Sequence, residues 1–343
     1  MHVFSRSTHA VRAPSRRPLG FVVLAVLLAA LIPLALFGLS DDGGTANLVS
    51  WTLPLVRVLV HLTSLVTIAV LCVGVLLPTD DDRTDDGGSE YLASLAVRLG
   101  RRGSMAGLAA VVVCGVFLLW TYFEVLGKGP LQGAGFEDFG TFLDQLASGR
   151  ALIAQIGFLL ASAVMAWFAR TSTALKMALF LAVAGTTTLA LGGHAASESG
   201  HGVAMFSMTG HIGAASLWVG GLAGLGWLAL TVPEALHAAA RRFSRLALIC
   251  AAVVTVSGVV SAVVRVPELT ALPGSLYGLV LLLKVITLVA LIGFGVLHRR
   301  RLLEGSSFSR VDFARLAGGE LVVMGVAYGL AVALVGLEPP VLV

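Results

Sequence analysis

Residues 192–221 of this 343-residue chain read GGHAASESGHGVAMFSMTGHIGAASLWVGG and hold three of its eight histidines and two of its seven methionines. His201, Met205, Met208 and His211 follow one another at spacings of four, three and three. On a helix of about 3.6 residues per turn they fall within about 120° of one another, so their side chains can converge. Thioether sulfur and imidazole nitrogen are soft to borderline donors that favour Cu(I), whereas calcium and magnesium take oxygen ligands. Copper is the ion this set selects. His194 can join from just upstream, and His61 lies ten residues into another apolar segment at a compatible depth. The same residues have plainer uses: methionine packs, loop histidines are solvated, and a buried His61 can be satisfied by a neighbouring hydroxyl such as Ser64. Glycines at 200, 202 and 210 also weigh against an unbroken helix here.

The elements that position these residues are membrane helices. Hydrophobic residues make up 57% of the chain and charged residues 12%, with a mean hydropathy of +0.94, far from the composition of a soluble domain. Spanning the hydrocarbon core takes roughly 17–25 apolar residues in a helix, because lipid cannot satisfy free backbone groups. Nine segments qualify or nearly do: 19–39, 51–77, 105–126, 151–169, 175–191, 211–232, 246–264, 276–297 and 316–337. The fifth is the shortest. The expected fold is all-α, a polytopic bundle of about nine spans, divided into a basic N-terminus at 1–18, four helices within 19–174 and five within 175–343. The first segment is too long for the apolar part of a cleavable signal, so it reads as an uncleaved helix.

Orientation follows from the loops. Eighteen Lys and Arg fall in one set of alternating loops, three in the other, and two, Arg57 and Lys284, inside segments. Basic residues are retained in the cytoplasm, which places the N-terminus inside and the C-terminus outside, in the cytoplasmic membrane. The net charge of +4 therefore describes loop chemistry and membrane lipid contact, not a nucleic-acid surface. Among the longer linkers, 79–104 opens on an acidic run that reads as a solvated loop, while Phe136, Phe139, Phe142, Leu143 and Leu146 in 127–150 have helical spacing and suit a helix lying at the interface.

Charges inside the membrane cost about 2.5–3.5 kcal/mol each at mid-depth and call for a partner, a water path or an escape to the interface. Lys284 is the deepest and reads as a structural tie; Arg57 can snorkel outward; Glu124 is a candidate partner for either; Glu320 can reach inner water. Cys72, Cys114 and Cys250 lie in apolar runs and read as packing rather than as a thiolate exit site. The sequence shows no nucleotide-binding glycine loop, no phosphorylation motif of a P-type pump and no Ser-His-Asp set, so it reads as a non-enzyme without its own nucleotide motor.

Three features in order resemble the copper-resistance D (CopD) family: Gly193–His194 followed by H-x6-W-x-G-G at His211, Trp218, Gly220 and Gly221; the Y-G-x-x-L-x-x-K pattern at Tyr277, Gly278, Leu281 and Lys284; and Glu320 in the last helix with Pro339 and Pro340 after it. Together they cover residues 192–340. The resemblance implies a membrane protein that moves copper, with His194, His211, Trp218, Lys284 and Glu320 on family positions. It also implies partners: an extracytoplasmic copper-binding protein, or a separately encoded CtaG-like assembly protein of the kind that longer relatives carry fused. Two other functions use the same histidines: a membrane cytochrome holding haem b through His61, His194 or His211, and a non-transporting factor that delivers copper to an oxidase.

Overall fold

The computed structural model describes residues 17–40, 48–77, 88–127, 136–191, 201–266, 270, 272–304 and 309–337. Among these residues ten α-helices follow one another: α1 (Arg17–Ser40), α2 (Leu48–Leu76), α3 (Gly88–Leu126), α4 (Phe136–Gln145), α5 (Ala147–Phe168), α6 (Ser172–Thr187), α7 (His201–Thr231), α8 (Pro233–Arg265), α9 (Leu276–Glu304) and α10 (Arg310–Gly336). Among the described residues there is no strand. Seven helices, α2, α3, α5, α7, α8, α9 and α10, are long and apolar enough to cross a membrane; the apolar stretches Gly20–Pro33 of α1 and Ser172–Thr187 of α6 are shorter. The chain is an all-helical, multi-pass membrane bundle.

Lipid tails are as apolar as leucine, so helices in a membrane associate through close van der Waals contact, which small residues permit. Gly318, Gly325 and Gly329 line the face of α10 that lies on Phe21, Ala25 and Ile32 of α1. Gly220 and Gly224 do the same for α7 on α2: a Cβ on Gly220 would stand 2.7 Å from Ile68, and one on Gly224 2.7 Å from the Ala69 carbonyl. Gly221, next in line, lies flat against the Phe243 ring of α8. The G-G of the W-x-G-G motif is thus a packing device, with one glycine turned to each neighbour of α7.

Several helices start earlier than their apolar cores. The linker expected over 79–104 is, from Gly88 onward, the first part of α3; the acidic run at 80–86, which reads as a solvated loop, lies outside the described residues. Leu95 and Leu99, one turn apart, are buried in the main core cluster while Arg98, Arg101 and Arg102 are exposed, so this stretch is an amphipathic extension. Similarly α8 begins at Pro233, directly after Val232, and buries Ala235, Ala239, Ala240 and Phe243. The helix expected within 127–150 is present as α4, with Phe139 and Phe142 packed on Tyr122 of α3 at ring separations of 5.0 and 5.5 Å. Gly127, at φ 62°, ends α3 in the left-handed conformation that glycine takes without strain.

Candidate functional site

Helix α7 runs unbroken from His201, so Gly202 and Gly210 do not interrupt it; Gly210 instead admits Val253 of α8, which a Cβ there would meet at 3.7 Å. His201, Met205, Met208 and His211 therefore share one continuous helix. Met205, Met208 and His211 are half-buried, whereas Val203 and Phe206 on the opposite side are 64% and 75% exposed, which turns the thioether stripe toward protein. Eighteen residues beyond Met208 is five full turns, and at that point on the same face Gly226 meets Ala317 of α10. The stripe faces the side of α7 that α10 occupies. His194 lies outside the described residues, as does the side chain of His201.

The hydrogen bonds of the two inner histidines fix their chemistry. His211 Nδ1 is 2.9 Å from Ser257 Oγ on α8, and that hydroxyl already donates to the Val253 carbonyl at 2.5 Å. Ser257 must then accept, so the neutral His211 carries its proton on Nδ1 and presents a lone pair at Nε2. His61 Nδ1 is 2.8 Å from the Arg57 carbonyl, an acceptor only, and the same tautomer follows. The Ser64 hydroxyl, the partner expected for His61, makes no hydrogen bond among the described residues. Both rings are thus oriented from behind through Nδ1, as metal-ligating imidazoles commonly are, and the Val254 backbone is a further partner of the His211 ring.

The two histidines also share a level. Parallel α2 and α7 register through Gly220 against Ile68 and Ala69, nine residues below His211 and seven to eight below His61, a difference of about 3 Å at most along the helices. Tyr328 of α10 meets the His61 ring at 5.2 Å, and Lys284 of α9 stands within electrostatic range of His211. Arg57 is 5.8 Å from the Phe117 ring and interacts with Tyr328. One polar layer therefore crosses α2, α7, α8, α9 and α10. The ion pairs formed among the described residues, His298–Glu320 and Arg315–Asp312, do not include the pairing with Glu124 expected for Arg57 or Lys284. Glu124 has a contact of its own, and Lys284 faces other bases, His211 and Arg265.

Toward the opposite end of the bundle, Glu320 is not in open water but 2% exposed, with Oε2 3.3 Å from His298 Nε2. The pair lines a cavity of about 170 Å³ with Trp218 of α7, Phe243 of α8 and Phe313 of α10. His298 is absent from the sequence-based candidates because it sits just past an apolar segment, ahead of Arg299, Arg300 and Arg301, where a solvated flank is the natural reading. Only its spacing from the apolar face of α9 carried a signal. The three cysteines are free and buried, Cys114 in a different core cluster from Cys72 and Cys250. Among the described residues no three His, Cys, Asp or Glu side chains gather around one point.

A multi-pass helical membrane protein with half-buried histidines on two neighbouring helices is the class these observations define. The family model for copper resistance protein D matches residues 237–334, and that for the N-terminal domain of copper resistance protein D-like proteins matches residues 48–205. The chain belongs to the copper-resistance D family, and copper resistance is the setting of its function. The second match brings α2 and His61 into the family signal, beyond the part where motifs carry the resemblance; His211 and Trp218 fall between the two matched regions. Comparison with curated proteins and with solved structures gave no match.

Proposed function

We propose that this protein takes copper from outside and carries it across the cytoplasmic membrane along a path between its helices. The observation that carries the reading is the pair of imidazoles, His61 and His211, each oriented through Nδ1 and both at one level below Met205 and Met208. Thioethers suit Cu(I) at the mouth, and oriented imidazoles receive it deeper. The ion moves down its own gradient, with the membrane potential, or to a partner such as a copper-binding protein at the outer face.

Nine spans, with the N-terminus inside and the C-terminus outside, fit this reading. Sixteen residues of α6 extend about 24 Å and the 3₁₀ turn Thr188–Leu191 adds about 8 Å, enough for a core of about 30 Å. The charge asymmetry of the loops then puts the start of α7 outside and the end of α9 inside. Lys284 lies within electrostatic range of His211 and Arg265, so its positive charge acts as a barrier that keeps copper affinity in the layer low enough for release.

Combined replacement Met205→Leu, Met208→Leu and His211→Phe tests the reading. Copper-dependent accumulation in whole cells should fall to the level of cells lacking the protein; unchanged uptake together with unchanged copper binding removes it. A second reading rests on the same imidazoles, because two of them on separate helices at one depth are what a b-type haem uses. Purified protein from haem-replete cells should show no Soret band if copper is the cargo, and a Soret band lost in His61→Ala would replace copper with haem. A delivery role toward oxidase assembly predicts lost oxidase activity with normal cellular copper in a deletion strain.

A further inference from the structure

The cavity at the end of α9 holds a geometry that an ordinary ion pair does not explain. His298 is 8% exposed and Glu320 2%, and they approach to 3.3 Å between Nε2 and Oε2. Yet Nε2 makes no hydrogen bond among the described residues, and 3.3 Å lies beyond the usual range of an N–H···O bond. Leu316 supplies a backbone hydrogen bond to the ring; with Nε2 unbonded it falls to Nδ1, which leaves the lone pair on Nε2. The Phe313 ring, edge-on at 5.2 Å, holds the imidazole plane, and the Trp218 indole hydrogen-bonds Glu320. Both groups are thus held from behind on the wall of one cavity.

We propose that His298 and Glu320 form a second metal site, one that takes a divalent first-row cation. Two donors each about 2.0–2.2 Å from one ion at a near-tetrahedral angle stand about 3.3–3.4 Å apart, which is the separation found. An imidazole nitrogen and a carboxylate oxygen, with no sulfur beside them, suit Cu(II) above the other divalent ions and suit Cu(I) poorly. The remaining positions go to water, for which a cavity of about 170 Å³ has room. A bound cation also compensates the carboxylate, whose burial alone is costly. Arg299 on the cavity wall and Arg301 within electrostatic range of His298 oppose it, which makes the ion exchangeable. The site joins α9 to α10, stands apart from the methionine stripe, and holds whether or not that stripe carries copper.

Cu(II) added to the purified full-length protein in detergent gives the test by electron paramagnetic resonance. One bound Cu(II) with coupling to a single nitrogen should appear, should persist in the combined Met205→Leu, Met208→Leu, His211→Phe variant, and should be lost in Glu320→Gln and in His298→Gln. Glu320→Asp, which keeps the carboxylate, should retain the signal and separates loss of a ligand from loss of fold, as does monodisperse elution on gel filtration. Glu320→Gln and His298→Gln should each also weaken Zn(II) binding by titration more than the roughly tenfold that even an outer-shell change costs. No bound Cu(II), or a signal unchanged by both Glu320→Gln and His298→Gln, overturns the proposal; so does a signal lost only with the methionine stripe.

Discussion

At the end of the bundle where α7 begins, the soft donors are neighbours in sequence; at the end where α9 stops, Trp218, His298 and Glu320 come together from three different helices. The first arrangement is sulfur-rich, half-buried and set on one helix face. The second is nitrogen and oxygen only, buried, and held by aromatic rings. A stripe on one helix can hand an ion along its length with little reorganisation. A site shared by two helices fixes a geometry, and it depends on how those helices pack. The two ends therefore suit different ions and different tasks.

The contrast can be broken most severely through packing. Gly220→Leu or Gly224→Leu puts a side chain into Ile68 or the Ala69 carbonyl, an overpacking that costs about 1–3 kcal/mol or more. The thermal midpoint in detergent should drop sharply, and both ends should lose metal together because α7 serves both. Next in size, Ser257→Ala strips His211 of the acceptor that fixes its tautomer. Copper affinity at the outer layer should fall by about tenfold, while the Cu(II) signal from His298 and Glu320 stays as it was. Lys284→Met removes a positive charge beside His211, so copper should bind more tightly by a few-fold, read by competition with a chromophoric chelator, while the rate of accumulation falls. The smallest effect is expected from Tyr328→Phe. Its hydroxyl makes no hydrogen bond among the described residues, and removing a buried hydroxyl that lacks a partner is nearly neutral in stability; the thermal midpoint should stay where it was.

Much of this molecule was legible without coordinates because a membrane imposes a length and a polarity on each helix. The apolar cores of the helices and the amphipathic α4 were visible in the residues themselves. What stayed hidden depended on packing. Residues 88–104 read as part of a linker because they lack the apolar length of a span, yet Leu95 and Leu99 are enough to anchor that amphipathic stretch on the core. Ser257 is one hydroxyl in an apolar run, and nothing local says that His211 of another helix will face it. His298 was masked by the arginines that follow it, whose charge suggests water, whereas the last turns of α9 lie over α10 and bury the ring. Residues that act along one helix are readable from spacing; residues that meet across helices need the fold.

The account rests most directly on copper being held by Met205 and Met208 beneath the mouth of α7. X-ray absorption at the copper edge, on purified protein loaded with Cu(I), measures the donors themselves. Sulfur scattering beside imidazole nitrogen, with the sulfur lost in the Met205→Leu, Met208→Leu variant, is the predicted result. A copper shell of nitrogen and oxygen alone, or one unchanged by that variant, would contradict it.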